Sequence, residues 1–136
     1  MKRCIVDTGA LVALLDRSDI HHSWAVNSFK KLRPPLVTCE AVFKETLYLL
    51  SDLPPSSQAL ARLHDDGLLR INFAFEDHAM TVWKLLEKYR DLPMDFADAC
   101  LVRMTELHDD CQVWTIDSHF RVYRRHGRQS IPLLMP

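Results

Sequence analysis

Four carboxylates stand where apolar segments end or are interrupted, and each lies in a different part of the chain. They are Asp7, Glu45, Asp98 and Asp117. A buried charge costs much free energy unless it is paired or bound to a metal. Four such acids from separate segments therefore predict one shared site for a divalent cation. Carboxylate oxygens and water suit Mg²⁺ or Mn²⁺ rather than zinc, with one or two ions bound.

Two of the acids are placed by the strands that precede them. Asp7 ends the apolar run Arg3–Asp7, and Asp117 follows Thr115 and Ile116 at the end of a later predicted strand. In open parallel sheets, ligands bind beyond the carboxyl ends of the strands, so both positions favour a functional site. The alternative is structural, because an aspartate at such a position could also cap the helix that follows it.

The other two acids lie within predicted helices. The residues three and four positions away are Ala41, Val42, Tyr48 and Leu49 for Glu45, and Met94, Asp95, Leu101 and Val102 for Asp98. Because such positions share a helix face, we expect both carboxylates to point along a packed stripe. Asp95 is better explained as a helix N-cap than as a ligand. Glu45 and Asp98 could alternatively pair with arginines at the edge of the core.

Short apolar runs alternate with helical periodicity along the chain. Strands are predicted at Arg3–Asp7, Leu36–Thr38, Leu68–Phe73, Gln112–Ile116 and Ser130–Leu134. Helices are predicted at Ala10–Asp16, His21–Leu32, Glu40–Ser51, Ser56–Asp66, Phe75–Arg90, Phe96–His108 and Ser118–His126, with Ser56 as an N-cap. This alternation predicts an α/β fold with a central, mostly parallel sheet of four or five strands flanked by helices.

The composition is that of a globular protein, and we expect residues 1–136 to form a single domain with 48% hydrophobic residues. The N-terminal apolar stretch is too short for a signal peptide and no run could cross a membrane, so a cytoplasmic protein is expected. The four cysteines, none in a Cys-x-x-Cys pair, are expected to be reduced and buried. The net charge of −1 argues against binding nucleic acid through overall charge.

Four segments carry the acids in an order that resembles the acidic motifs of PIN-domain nucleases, and in particular the VapC toxins of bacterial and archaeal toxin–antitoxin pairs. They are Ile5–Asp16, Phe43–Leu50, Met94–Val102 and Val113–Phe120. The resemblance runs through nearly the whole chain. It implies a PIN-like fold and metal-dependent endoribonuclease activity, often on structured RNA such as transfer or ribosomal RNA. It also implies a homodimer and a cognate antitoxin that blocks the site.

The resemblance also implies roles for individual residues. Asp7, Glu45 and Asp98 would be the main metal-site acids, with Asp117 as the fourth catalytic acid. The candidate supporting residues are Thr8, Asp95, Thr115 and Ser118. The alternative function is a non-catalytic PIN-fold module for RNA binding or protein interaction. Four clustered acids argue against it, because a site without a cation would only suffer their repulsion.

A basic cluster follows the last acid. Its members are Arg121, Arg124, Arg125 and Arg128, and no acidic residue lies between positions 118 and 130. Guanidinium groups bind phosphates in a bidentate way, so this cluster is the candidate RNA-binding surface. The alternative is that these arginines stabilise a helix C-terminus through its dipole.

The tripeptide Asp7-Thr8-Gly9 also matches the active-site sequence of aspartic proteases. That function requires an all-β, glycine-tolerant scaffold that brings two such carboxylates together. With three glycines and mostly helical periodicity, the sequence disfavours it.

Overall fold

The structure is a computed structural model that describes residues 2–136. The strands of its central sheet are β1 (Arg3–Val6), β2 (Leu36–Thr38), β3 (Leu69–Ile71), β4 (Cys111–Trp114) and β7 (Leu133–Leu134). They lie in the order β3-β2-β1-β4-β7, and every neighbouring pair is parallel. Two further short strands, β5 (Arg124–Arg125) and β6 (Gln129–Ser130), form a separate antiparallel pair. The predicted α/β fold with a parallel sheet is confirmed.

Six helices of the described residues flank the sheet. They are α1 (Thr8–Leu15), α2 (His22–Lys31), α3 (Glu40–Leu49), α4 (Pro54–Asp65), α5 (Phe75–Lys88) and α6 (Phe96–Leu107). Helix α6 packs on β1, on β4 and against α5, whereas α1 packs against α2, α3 and α4. None of the helices in residues 2–136 combines the length and the apolar character needed to span a membrane.

The two central strands set the position of the site. Their side chains are buried, and Ile5, Val6, Val113 and Trp114 have no exposed surface. Burying such a side chain contributes about 1.5–3 kcal/mol, so β1 and β4 are firmly anchored in the core. Val6 pairs with Trp114, and the next residue, Asp7, donates its backbone N–H to the Trp114 carbonyl at 3.0 Å. Asp7 therefore leaves the sheet beside the chain segment that leads to Asp117.

Two predicted elements near the C-terminal end are wrong. The helix predicted over Ser118–His126 is a 3-10 helix at Ser118–Arg121, after which His126 and Gly127 adopt positive φ angles of 52° and 79°. These angles reverse the chain and form the β5–β6 hairpin. The strand predicted over Ser130–Leu134 is divided, because Pro132 has no backbone N–H to donate and only Leu133–Leu134 joins the central sheet.

Two smaller sequence predictions have different outcomes. Ser56 is not the N-cap of α4, because the helix already begins at Pro54 and Leu53 is its N-cap. Proline suits the first helical turn, where no intrahelical partner for its missing N–H exists. All four cysteines are buried and free, as expected.

Candidate active site

The carboxylates from four separate segments lie around one cavity of about 420 Å³. Its lining residues are Asp7, Thr8, Gly9, Glu45, Leu49, Pro93, Asp95, Asp98, Ile116, Asp117 and His119. All four predicted metal-site acids are among them, together with Asp95 and Thr8. The cavity opens where β1 and β4 end, as expected for a ligand site in a parallel sheet.

Asp7 is held by two hydrogen bonds. It is the N-cap of α1, where Oδ1 accepts the backbone N–H of Thr8 at 2.8 Å, and Oδ2 accepts the Thr115 hydroxyl at 2.6 Å. Burial raises the pKa of Asp7 to about 6; the charges of Asp117 and Asp95 add to this shift, while the two hydrogen bonds oppose it. The Asp7 side chain thus caps α1 and also lines the cavity.

Asp98 and Asp95 form a capping box at the start of α6. The Asp95 side chain accepts the Asp98 backbone N–H at 2.7 Å, and Asp98 Oδ2 accepts the Asp95 backbone N–H at 3.3 Å. The N-cap role predicted for Asp95 is confirmed. The pKa of Asp98 is raised to about 8, first by burial and then by the charges of Asp95 and Asp7. This carboxylate therefore lies in the most unfavourable environment for a negative charge.

Glu45 reaches the cavity from α3 and is half-buried. Its Oε2 accepts the Thr8 hydroxyl at 3.5 Å, and burial together with the charge of Asp95 raises its pKa. The predicted packed stripe around it is wrong, since Tyr48 is 74% exposed and Leu49 is 52% exposed. Glu45 lies at the rim of the cavity rather than on a buried helix face.

Asp117 completes the acidic lining from the β4 side. It is the N-cap of the 3-10 helix, and its Oδ1 lies 2.9 Å from the backbone nitrogen and 2.8 Å from Nδ1 of His119. The Thr115 hydroxyl also accepts the backbone N–H of Asp117 at 2.9 Å, so one side chain connects Asp117 with Asp7. Ser118 is exposed and is not among the lining residues. No contact with the cavity therefore supports the role predicted for it.

The predicted basic surface is not continuous. Arg125 is buried, and its guanidinium donates to the backbone carbonyls of Thr105, at a very short distance, and His108, at 2.9 Å, where α6 ends. Arg125 is therefore not available to RNA, which corrects its assignment to the RNA-binding cluster. Arg124 is half-buried and donates to three nearby carbonyls, whereas Arg121 and Arg128 are exposed.

The donor set fits a hard divalent cation. Within residues 2–136, no three Asp, Glu, His or Cys side chains are drawn close enough to form a ready-made metal cluster. The acids instead stand around the cavity, and burial, with a further contribution from the charges of neighbouring acids, raises the pKa values of Asp7, Glu45 and Asp98. Five carboxylates in one lining suit Mg²⁺ or Mn²⁺. The assignment of these acids as ligands stays a prediction.

Sequence reasoning missed Tyr123, which holds one of the acids of the site. Tyr123 is fully buried, and its hydroxyl donates to Oδ2 of Asp98 at 3.1 Å. No spacing rule connects the two positions, because Tyr123 follows the 3-10 helix and lies 25 residues from Asp98 in the chain. Gly9 has a packing role: a Cβ atom there would lie 2.6 Å from Cγ1 of Ile116. Close packing thus accounts for the glycine of the protease-like tripeptide, and the parallel sheet excludes the all-β scaffold.

Comparisons with known proteins agree with this architecture. The sequence model of the PIN domain matches residues 4–125. No curated protein matches the chain in sequence. Among solved structures, the chain is similar to the crystal structure of Mycobacterium tuberculosis VapC20, a sarcin-ricin loop cleaving toxin. The TM-score is 0.75 at 20% sequence identity, over 85% of this chain and 90% of that chain.

Proposed function

The chain belongs to the PIN domain family, and we propose that it is a metal-dependent endoribonuclease that acts as the toxin of a toxin–antitoxin pair. The observation that carries the proposal is the convergence of Asp7, Glu45, Asp98 and Asp117 on one cavity at the carboxyl end of the sheet. The fold shared with VapC20, which cleaves the sarcin-ricin loop, supports RNA as the substrate.

The residues that would hold one or two Mg²⁺ or Mn²⁺ ions are Asp7, Glu45, Asp98 and Asp117. A divalent cation bound there lowers the pKa of water and neutralises charge that develops on a phosphodiester. The chain itself orients the carboxylates: Thr115 fixes Asp7, and the capping box fixes Asp98. These bonds are formed before substrate arrives, so little reorganisation is needed during the reaction.

The proposed reaction is hydrolysis of an RNA phosphodiester by in-line attack of water. It does not use the RNA 2′-hydroxyl as the nucleophile, so the products would carry a 5′-phosphate and a 3′-hydroxyl. Fragments that end in a 2′,3′-cyclic phosphate would contradict this mechanism.

The proposed partners are RNA, such as transfer or ribosomal RNA, a cognate antitoxin that blocks the cavity, and a second copy of the chain. The cytoplasm is the proposed compartment. Arg121 and Arg128 are the proposed phosphate contacts, because they are the exposed members of the basic cluster. They lie beyond Asp117 in the chain and offer the positive charge that the acidic cavity lacks.

The function is tested by incubating purified protein with total cellular RNA in Mn²⁺ and in EDTA. We expect discrete fragments with Mn²⁺ and none with EDTA, because the carboxylates alone cannot neutralise the phosphate. Asp98→Asn should reduce cleavage by at least about 100-fold, in the range observed when a catalytic electrostatic group is removed.

The matched control is Asp65→Asn, which removes one carboxylate from the exposed end of α4. Cleavage by this variant should equal that of the wild type. Equal activity of the Asp98→Asn and wild-type proteins would overturn the assignment of the site. A folded protein that binds RNA but cleaves none of it under any condition would favour the non-catalytic RNA-binding module.

A further inference from the structure

One hydrogen bond in the site comes from outside the four acidic segments. Tyr123 follows the 3-10 helix and has no exposed surface, yet its hydroxyl donates to Oδ2 of Asp98 at 3.1 Å. The same oxygen accepts the backbone N–H of Asp95 at 3.3 Å. Two donors from different parts of the chain thus converge on Oδ2 of Asp98, whose surroundings disfavour a negative charge most.

The Tyr123 ring is fixed by its neighbours. Its centroid lies 5.2 Å from that of Phe120 and 5.2 Å from that of Tyr89, both in edge-to-face geometry. Such pairs are energetically favourable beyond the area they bury. The phenol oxygen is therefore held in place by packing, independently of the bond that it makes.

We propose that Tyr123 is a positioning residue that orients the Asp98 carboxylate for cation binding. This inference rests on the proposed metal site. Asp98 Oδ2 accepts hydrogen bonds from the phenol and from the Asp95 backbone N–H of the capping box. These bonds restrict rotation of the carboxylate about its Cβ–Cγ bond, and Oδ1 is the oxygen that remains for the cation. Groups that hydrogen-bond to metal ligands typically change metal affinity by 10–100-fold when they are removed.

The charge balance of the site supports this role. Burial, Asp95 and Asp7 all disfavour a negative charge on Asp98, and the phenol opposes them because it donates a hydrogen bond to the carboxylate. The phenol is the donor in this bond, because an ionised carboxylate has no proton to donate. A phenylalanine in its place would fill nearly the same volume but would offer no proton.

The test is Mn²⁺ binding by Tyr123→Phe, measured by calorimetry on the full-length protein without RNA. We expect the Kd for Mn²⁺ to rise at least about tenfold. The matched control is Tyr89→Phe. Tyr89 is also buried, and Tyr89→Phe keeps the ring that packs on Tyr123. Its hydroxyl accepts the backbone N–H of Arg124 at 2.9 Å, so the variant loses a hydrogen bond to the backbone rather than to Asp98. Its Kd for Mn²⁺ should stay near the wild-type value.

Urea unfolding without metal separates positioning from packing. Both variants lose one buried hydrogen bond, so similar losses of stability are expected while only Tyr123→Phe loses Mn²⁺ affinity. Equal Kd values in the two variants would overturn the inference and leave the nuclease proposal intact. A wild-type protein without Mn²⁺ affinity would overturn the metal site itself, and with it this inference.

Tyr123→Phe could also fail to fold, because the buried carboxylate would lose a donor. In that case Tyr123→Phe would be combined with Asp98→Asn, which removes the negative charge. Recovery of a folded protein would show that the phenol serves the carboxylate. A double variant that stays unfolded would show that Tyr123 acts through packing, contrary to the proposal.

Discussion

At the scale of single residues, the raised pKa values of Asp7 and Asp98 make a direct prediction for the metal-free protein. In the unfolded chain both carboxyls return towards their ordinary pKa of 3.8, compared with about 6 and about 8 in the fold. At pH values between 3.8 and about 8, the folded state binds more protons than the unfolded state. The free energy of unfolding must therefore fall as the pH rises through this window.

We expect the Tm in EDTA to be lower at pH 8 than at pH 5. For a chain of this length, each kcal/mol of lost stability corresponds to about 4 °C. Asp98→Asn removes the larger of the two shifts, so its Tm should depend less on pH and should exceed that of the wild type at pH 8. Thermal unfolding monitored by circular dichroism measures both effects.

The comparison for this experiment is Asp65→Asn, whose exposed carboxylate should leave the pH dependence of the Tm as it is in the wild type. A Tm of the Asp98→Asn variant that falls with pH as steeply as that of the wild type would refute the assigned cause. Burial of the Asp98 charge and its repulsion by Asp95 and Asp7 would then not limit the stability of the metal-free protein.

At the scale of elements, Arg125 joins the C-terminus of α6 to the β5–β6 hairpin. Its guanidinium donates to the carbonyls of Thr105 and His108, which the helix itself leaves without partners. Arg125→Met keeps much of the apolar stem but removes both donors. We expect a loss of about 1–3 kcal/mol in the free energy of unfolding, because the His108 carbonyl loses this donor and the Thr105 carbonyl keeps only the weak Cys111 thiol.

Urea unfolding measures this loss, and Arg128→Met supplies the comparison. Arg128 is exposed, so its replacement should change stability by less than about 0.5 kcal/mol. The same small effect in both variants would contradict the structural role of Arg125. It would also reopen its assignment to the RNA-binding cluster.

The elements also show what the sequence could predict. The positions of Asp7 and Asp117 followed from local patterns, because strand ends are visible in the sequence and parallel strands bring their carboxyl ends together. The contacts of Tyr123 and Arg125 depend on the path of the chain after the 3-10 helix ends at Arg121. A continuous helix was predicted there, and it would have kept both side chains near their sequence neighbours.

The environment of Glu45 illustrates a second limit of sequence reasoning. Helical spacing correctly indicates which residues share a face, but not whether another element covers that face. Tyr48 and Leu49 are apolar in type and exposed in the fold. The acid is therefore at a rim, and only the assembled structure places it opposite Asp95.

At the scale of the whole molecule, charge must be distributed unevenly if the protein binds RNA. The net charge is −1, and five carboxylates line the cavity in which cleavage is proposed. Neither feature attracts a polyanion. Attraction must then come from local cations, and the structure reduces the basic cluster to two exposed members, Arg121 and Arg128.

Local binding of phosphates by Arg121 and Arg128 would determine the salt dependence of RNA binding. Each phosphate contact on a single strand contributes about 0.7 to the slope of log K against log salt concentration. The Arg121→Ala, Arg128→Ala double variant should therefore lower the slope by about 1.4 relative to the wild type. Lys30→Ala with Lys31→Ala removes two exposed charges from α2 and should leave the slope unchanged. Equal reductions in the two double variants would mean that RNA responds to overall charge, and that the arginines beyond Asp117 form no local phosphate site.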